Sequence, residues 1–431
     1  MKKVASVLAA WLAALGAATA ADPLAYEITV TGGPHDLKNV PVCAPVTILT
    51  GALSQKTGVV LKDASGKDGP PCELALPYLH GGKDVGDSSA MEICFVLPEL
   101  AAGEVRKYTA MLSDDPELAK DRKPGFSMTS YSGQYRETRF EGKLVARYMC
   151  RDFDDSTPES RFMTYKPFHH IFDPETGTQL TAGPEAGMKA KFPHHRGLFF
   201  GFNRISYGGK KADVWHCTGD AHQRHEGYGP MCNNPVLDRM TATISWRGPG
   251  KEAFAYEERQ VTFYRPTGEG MLIDFASRVE SNVDVPVKLD GDPQHAGVQF
   301  RASHEVADKT FKQTYYLRPD GKGKPDETRN WDPKTGKGPE NLPWNALCCV
   351  IGGKRYTVVY LDHPENPKPA RYSERNYGRF GSYFEYTLTK DKPLRVKYRL
   401  WIQPGEMTVG QCEALSSAFT DPPKVTVKAV K

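Results

Sequence analysis

Met240-Thr-Ala-Thr-Ile-Ser-Trp246, Ala255-Tyr-Glu-Glu-Arg-Gln-Val-Thr-Phe-Tyr264 and Met271-Leu-Ile-Asp-Phe-Ala-Ser-Arg-Val279 follow one another with Gly248-Pro-Gly250 and Pro266-Thr-Gly268 between them. β-Branched and aromatic residues are frequent in the runs, and glycine and proline separate them. Three such runs in succession read as neighbouring antiparallel strands. Working outward, the same pattern recurs at residues 287–289, 314–317, 356–361, 382–388 and 395–402, and residues 138–148 read as a hairpin turning at Glu141-Gly142. The spacing predicts a large antiparallel β-sandwich over residues 126–431. Only residues 409–419 carry apolar side chains near a 3.6 period and are expected to be helical. Upstream, runs at 26–31, 45–50, 59–62, 91–97 and 105–112 predict a smaller β module over residues 21–125, and the polar stretch 114–124 reads as a linker.

The first twenty residues have a different character. Lys2 and Lys3 precede an apolar run from Val4 to Leu15, and Ala18-Thr-Ala20 offers a small-residue cleavage site. That is the pattern of a signal peptide, and the run is shorter than the ~20 residues a membrane span needs. The expected product is periplasmic or secreted, with no membrane insertion of the mature chain. Of 431 residues, Lys and Arg number 56 against 52 Asp and Glu, for a net charge of +4. So even a balance gives no electrostatic reason to bind nucleic acid. Nine cysteines remain after cleavage. Cys72/Cys94 and Cys217/Cys232 are close enough in sequence to pair across loops, though spacing alone does not establish a disulfide. No Cys-x-x-Cys occurs, which argues against a zinc ribbon or thioredoxin-like pair.

The chemistry concentrates in four segments. Phe192-Pro-His-His-Arg-Gly-Leu-Phe-Phe-Gly-Phe-Asn203 pairs two histidines with an arginine. If both histidines are extended, only one of His194 and His195 faces a cleft. Asp213-Val-Trp-His-Cys-Thr218 and Asp220-Ala-His-Gln-Arg-His-Glu226 add Trp215, His216, His222, His225 and Glu226. His222 and His225 would meet if their segment turned helically. Lys288-Leu-Asp-Gly-Asp-Pro-Gln-His-Ala-Gly297 places Asp290 and Asp292 before His295, and a carboxylate beside an imidazole sets its tautomer. Tyr372-Ser-Glu-Arg-Asn-Tyr-Gly-Arg-Phe-Gly-Ser-Tyr-Phe-Glu-Tyr386 combines Arg379 and Glu385 with tyrosines. Each segment has a blander reading: structural hydrogen bonds at a strand start, an Asx-turn, or alternate residues of an exposed strand.

His194-His-Arg-Gly-Leu-Phe-Phe-Gly-Phe-Asn203, Trp215-His-Cys, Gly291-Asp-Pro-Gln-His-Ala-Gly297 and Tyr377-Gly-Arg-Phe-Gly-Ser-Tyr-Phe-Glu385 together resemble the secreted PmoA-like family over roughly residues 126–425. The family's methane-oxygenase label does not imply a membrane monooxygenase, because such a subunit needs several apolar spans and this chain has none after its leader. More distantly, Phe200-Gly-Phe-Asn203 and Leu400-Trp-Ile-Gln-Pro-Gly-Glu406 are similar to strands of the galactose mutarotase-like supersandwich. That resemblance implies an all-β supersandwich and a carbohydrate or glycoside as partner. The leading expectation is therefore an exported carbohydrate-active enzyme (mutarotase or epimerase, lyase or glycosidase) using His195 and His295 as acid and base. Glu385 is expected as the partnering carboxylate, and Arg196, Trp215, His216, Asp292 and Arg379 as substrate holders. No cofactor is required. The alternative is a divalent metal on His195, His216, His225 and Glu226, serving a hydrolase or oxidase. A non-catalytic glycan-binding protein is the third reading.

Overall fold

The computed structural model describes residues 24–49, 53, 57–79, 88–114, 125–268, 270–292 and 295–430. The expected leader and most of the expected linker lie outside these residues.

Two nine-stranded antiparallel sheets dominate the molecule. The first runs from Phe126–Tyr131 at one edge through Tyr135–Phe140, Lys143–Met149, Phe168–Ile171, Leu198–Phe202, Ala296–Arg301, Arg379–Tyr383 and Arg371–Arg375 to Arg329–Asn330. The second contains the three runs that open the sequence reading as the neighbours Leu237–Arg247, Ala253–Tyr264 and Met271–Ser281, and continues through Leu394–Pro404 and Lys354–Asp362. The two sheets stack face to face. Leu198, Phe200, Phe202, Val298, Phe300 and Phe380 from the first share one core with Ile244, Trp246, Phe275, Tyr360 and Leu400 from the second. Strand alternation produces this, since every second residue turns inward. The Phe200 ring lies 5.3 Å from Trp246 and 6.3 Å from Phe275, edge to face. Such aromatic pairs add about 0.5–1.5 kcal/mol each beyond their burial. The expected large antiparallel all-β sandwich is what the chain forms.

The predicted hairpin turns where expected. Glu141 (φ 49°) and Gly142 (φ 81°) both adopt positive φ, as a two-residue hairpin turn requires. The predicted helix is Val409–Thr420. Thr408 caps it, accepting from the Gln411 backbone N–H while the Gln411 side chain accepts from the Thr408 N–H.

The N-terminal strands form two small sheets over a separate core of Ile28, Val30, Val42, Ile93, Phe95 and Leu112. The last strand of the chain, Lys424–Val430, returns to pair with Leu24–Thr31. A third apolar cluster joins this region to the outer face of the second sheet, with Val96, Leu237, Trp344, Val359, Trp401 and Phe419. All nine cysteines are free thiols, so neither of the two disulfides considered from spacing forms.

The face of the first sheet turned away from the core positions the site. Phe199, Gln299, Arg301, Ser373, Arg375 and Arg379 alternate with the core-facing residues along their strands. His195 and Trp215, from the loops before Leu198–Phe202 and after Lys210–Ala212, pack on Phe199 of this face.

Candidate metal centre

Three loops deliver one histidine each to the same place. His194 sits in a turn before the strand Leu198–Phe202, His216 in the loop after Lys210–Ala212, and His295 immediately before Ala296–Arg301. Their ring centroids lie 4.6 Å (His194–His216), 4.8 Å (His216–His295) and 6.0 Å (His194–His295) apart. One nitrogen from each ring falls within 4.8 Å of the other two.

Hydrogen bonds decide which nitrogens these are. The Nδ1 of His216 lies 2.8 Å from Asp213 Oδ2, and Asp213 Oδ1 accepts from the backbone N–H groups of Trp215 and His216. The Nδ1 of His295 lies 2.7 Å from Asp292 Oδ1. Asn203 clamps that carboxylate: its Nδ2 donates to Asp292 Oδ2 at 2.8 Å, and its Oδ1 accepts from the Asp292 N–H. A carboxylate only accepts, so both Nδ1 atoms carry the hydrogen and both Nε2 lone pairs are free. The Nε2 of His194 is buried without a partner. Three imidazoles with convergent free nitrogens, two of them backed by carboxylates, are what a divalent transition ion takes as ligands.

Burial favours the neutral form of two of the rings, His194 and His295, and the neutral form is the one that ligates. Burial, helped by the neighbouring His216 and Lys166, holds the His194 imidazole down to about 2. Burial also lowers His295, against the opposing pull of Asp292. Lys166 is itself buried, which brings its amine down to about 8. Its Nζ donates to the carbonyls of His194 and Trp215 and so ties two of the histidine-bearing loops together. Gly197 (φ 50°) permits the tight entry into the strand, because a Cβ there would fall 2.0 Å from the His169 carbonyl oxygen.

The structure rearranges the expected roles. His194 and His195 are not extended but turn together after Phe192 (φ 54°), with rings 4.1 Å apart. The ring that converges with His216 and His295 is that of His194. His195 is only 1 % exposed, both its ring nitrogens lack partners, and burial drives it well below the usual imidazole range. It packs behind the cluster, with no carboxylate against it among the described residues. Trp215 is wholly buried and lies 5.7 Å from His195 and 5.8 Å from His295, so it floors the site with Phe199 and offers no open stacking face. Arg196 faces inward. Its guanidinium is buried over Phe162 and Tyr165 and donates to the Phe162 carbonyl. Arg379 is buried on the sheet face beneath, bonded to Gln299 Oε1 and Ser373 Oγ.

Four further residues stand apart from the cluster. Glu385 is half-exposed and pairs with Arg371 at 3.0 Å. The carboxylates against the imidazoles are Asp213 and Asp292 instead. His222 and His225 lie on a strand, His222–Asn233, not a helical turn. His225 meets Tyr148 and Tyr228, while Glu226 binds Ser245 and Arg247. The four-residue set built on His195, His216, His225 and Glu226 is therefore replaced by His194, His216 and His295.

A second trio, Cys43, Glu92 and Cys94, also has ligand atoms within 4.8 Å of one another. There the cation is already supplied, since Arg239 lies 2.8 Å from Glu92 and 3.7 Å from the Cys43 sulfur. An apolar cavity of about 640 Å³ opens at one end of the sandwich, between Phe126, Phe172, Met271 and Tyr356, and no histidine lines it.

Fold and site together define an all-β sandwich protein with a preorganised three-histidine cluster. The chain belongs to the family of unknown function DUF6807, which matches residues 136–417, a span that holds all three histidines, the whole second sheet and the first sheet without its edge strand Phe126–Tyr131. The PmoA-like family expected from the motifs is not the one that matches. No curated protein matches the chain. Among solved structures, the GalM/aldose epimerase homologue from C. elegans is similar at 8% identity, over 66% of this chain and 100% of that one, with a TM-score of 0.28.

Proposed function

We propose that this protein is an exported, metal-dependent enzyme acting on a carbohydrate, with a divalent transition ion held by the Nε2 atoms of His194, His216 and His295. The observation that carries the reading is the pair of Asp-held imidazoles converging with a third, unpartnered one on a single point. Such an ion supplies Lewis acidity to a substrate oxygen or to bound water. The chain's own contribution is positional. Asp213 and Asp292 fix the tautomers and raise the basicity of their histidines. Lys166 locks the loops, and Trp215 and Phe199 close the floor to water. The carbohydrate part rests on the resemblance of residues 200–203 and 400–406 to supersandwich strands, and export rests on the Lys2-Lys3 leader with its apolar run.

Protein purified without an affinity tag is expected to carry about one equivalent of Zn, Fe, Mn or another first-row metal. His216→Ala and His295→Ala are expected to lose it while keeping a wild-type circular dichroism spectrum. Wild-type protein free of metal, with a melting temperature indifferent to added Zn²⁺ or to chelator, would remove the metal reading. What would stand then is the His295–Asp292 pair as a metal-free acid–base dyad, visible as turnover that survives chelation.

A further inference from the structure

Arg301, Arg379 and Arg375 are cross-strand partners on three adjacent strands. In the sheet register Arg301 lies opposite Arg379, and Arg379 opposite Arg375. Directly opposed residues of an antiparallel pair point to the same face, and like charges so placed repel. Five other buried arginines follow the usual rule, whereas Arg196 lies among aromatic rings and donates to the Phe162 carbonyl. Arg136 pairs with Asp238, Arg239 with Glu92, Arg259 with Glu257, Arg318 with Glu374 and Arg399 with Asp274, each within 2.9 Å. The row is different. Among the described residues no carboxylate comes within ion-pair distance of any of the three. Arg301 and Arg379 are fully buried, and Arg301 Nε and Nη2 and the Nε atoms of Arg375 and Arg379 have no partner. Glu374, next to Arg375, turns to the opposite face and is already bound by Arg318.

The row also adjoins the histidines. Arg301 lies 5.1 Å above the Tyr377 ring, which stacks parallel to His195 at 6.1 Å, and His195 touches His194 and His295. Arg379 acts electrostatically on His194, His195 and His295. A divalent ion at the histidines would add to this positive field. Uncompensated guanidinium groups are costly to bury, and their planar forks match oxyanions.

We infer that the arginine row beside the histidine cluster is the recognition site for an oxyanion on the substrate, so that the carbohydrate taken is an acidic one, carrying a carboxylate or phosphate. This rests on the carbohydrate reading above and narrows it. Arg375, the one member of the row that is not fully buried, is the group that meets the ligand from solvent, and Arg379 and Arg301 supply the field beneath.

The test is calorimetric titration of the metal-loaded full chain with D-glucuronate, D-glucose 6-phosphate and D-glucose, repeated after chelation and on Arg375→Gln and Arg375→Lys. At least one acidic sugar is expected to bind saturably and more tightly than glucose. Arg375→Gln is expected to weaken that binding by about ten- to a hundredfold, the usual worth of a hydrogen bond to a charged group. Metal content should stay unchanged and glucose binding unaffected. Arg375→Lys keeps the charge without the fork and should fall between the two, which leaves a readout if the glutamine variant does not fold. The better of the two acidic sugars identifies the oxyanion. Equal affinity for acidic and neutral sugars, no binding of either acidic sugar, or an Arg375→Gln titration identical to wild type overturns the inference. Failure of the metal reading alone looks different: the protein then holds no metal, while acidic-sugar binding persists through chelation and still responds to Arg375.

Discussion

Asp292 spends one oxygen on His295 and the other on Asn203. It is therefore a positioning residue, and its removal should loosen a ligand without emptying the site. Asp292→Ala is expected to lower metal affinity by about 10–100-fold, the range for outer-sphere carboxylates. The melting temperature of the metal-free protein should shift little, because Asp292 is partly exposed. Competition against a chromophoric chelator measures the first and calorimetry the second. An affinity equal to wild type would mean that His295 is held by packing alone. The carboxylate's role was readable in advance because Asp292 precedes His295 by three residues. Asp213 stands in the same relation to His216, and that repeated Asp-x-x-His spacing is the signal the sequence reading passed over. His194 was hidden for a different reason. Strand parity makes His194 and His195 alternatives, but Phe192 at positive φ converts the segment to a turn, where parity has no force. Arg196 and Trp215 were correctly placed near the histidines in sequence, and burial decided their roles, which composition cannot register.

At the scale of elements, strands with β-branched and aromatic alternation were legible, and so was the helix at 409–420. Two features were not. His222–Asn233 is a strand, but with Gly227, Gly229, Pro230 and six polar residues it lacks the expected composition, and it is held by pairing with Leu237–Arg247. Residues 382–388 form two strands, Arg379–Tyr383 and Tyr386–Leu388, in different sheets. That break carries Glu385 out of the first sheet and away from the imidazoles. The strand Lys424–Val430 is mostly exposed and carries two lysines, yet it pairs with residues 25–31 along its whole length, and Val425 and Val427 pack on the N-terminal core. A chain ending at Pro423 would leave Leu24–Thr31 as an open edge. It is expected to lose hydrogen-exchange protection at residues 24–31 while retaining its metal. Protection unchanged from the full chain would show that the N-terminal sheet does not depend on its last strand.

Across the whole molecule, carboxylates clamped by cations make stability depend on pH. Glu104, Glu137, Asp173, Glu226 and Glu406 all titrate below their ordinary range. Glu137 is the clearest case. Burial pushes its carboxyl up, but hydrogen bonds from Arg147 at 2.7 Å and Arg139 at 2.8 Å outweigh that and hold it down. Unfolded, it would titrate at about 4.3. A carboxyl with a depressed folded-state value contributes stability that is fully present above the unfolded value and is lost as pH falls through the folded one. Urea unfolding free energies of the wild type are therefore expected to fall already below about pH 7, where unfolded imidazoles take up protons that buried His194, His195 and His295 refuse, and to fall further below about 5 as the carboxylates protonate. Glu137→Gln, which removes the charge and leaves two arginines without it, should be less stable than wild type at pH 7. The gap should narrow through the acid range, because the wild type surrenders the same interaction on protonation. The pair of curves is diagnostic: convergence below about pH 4 assigns the acid limb in part to Glu137. Parallel curves down to pH 2 would mean that Arg139 and Arg147 stabilise the first sheet through packing and not through this carboxylate.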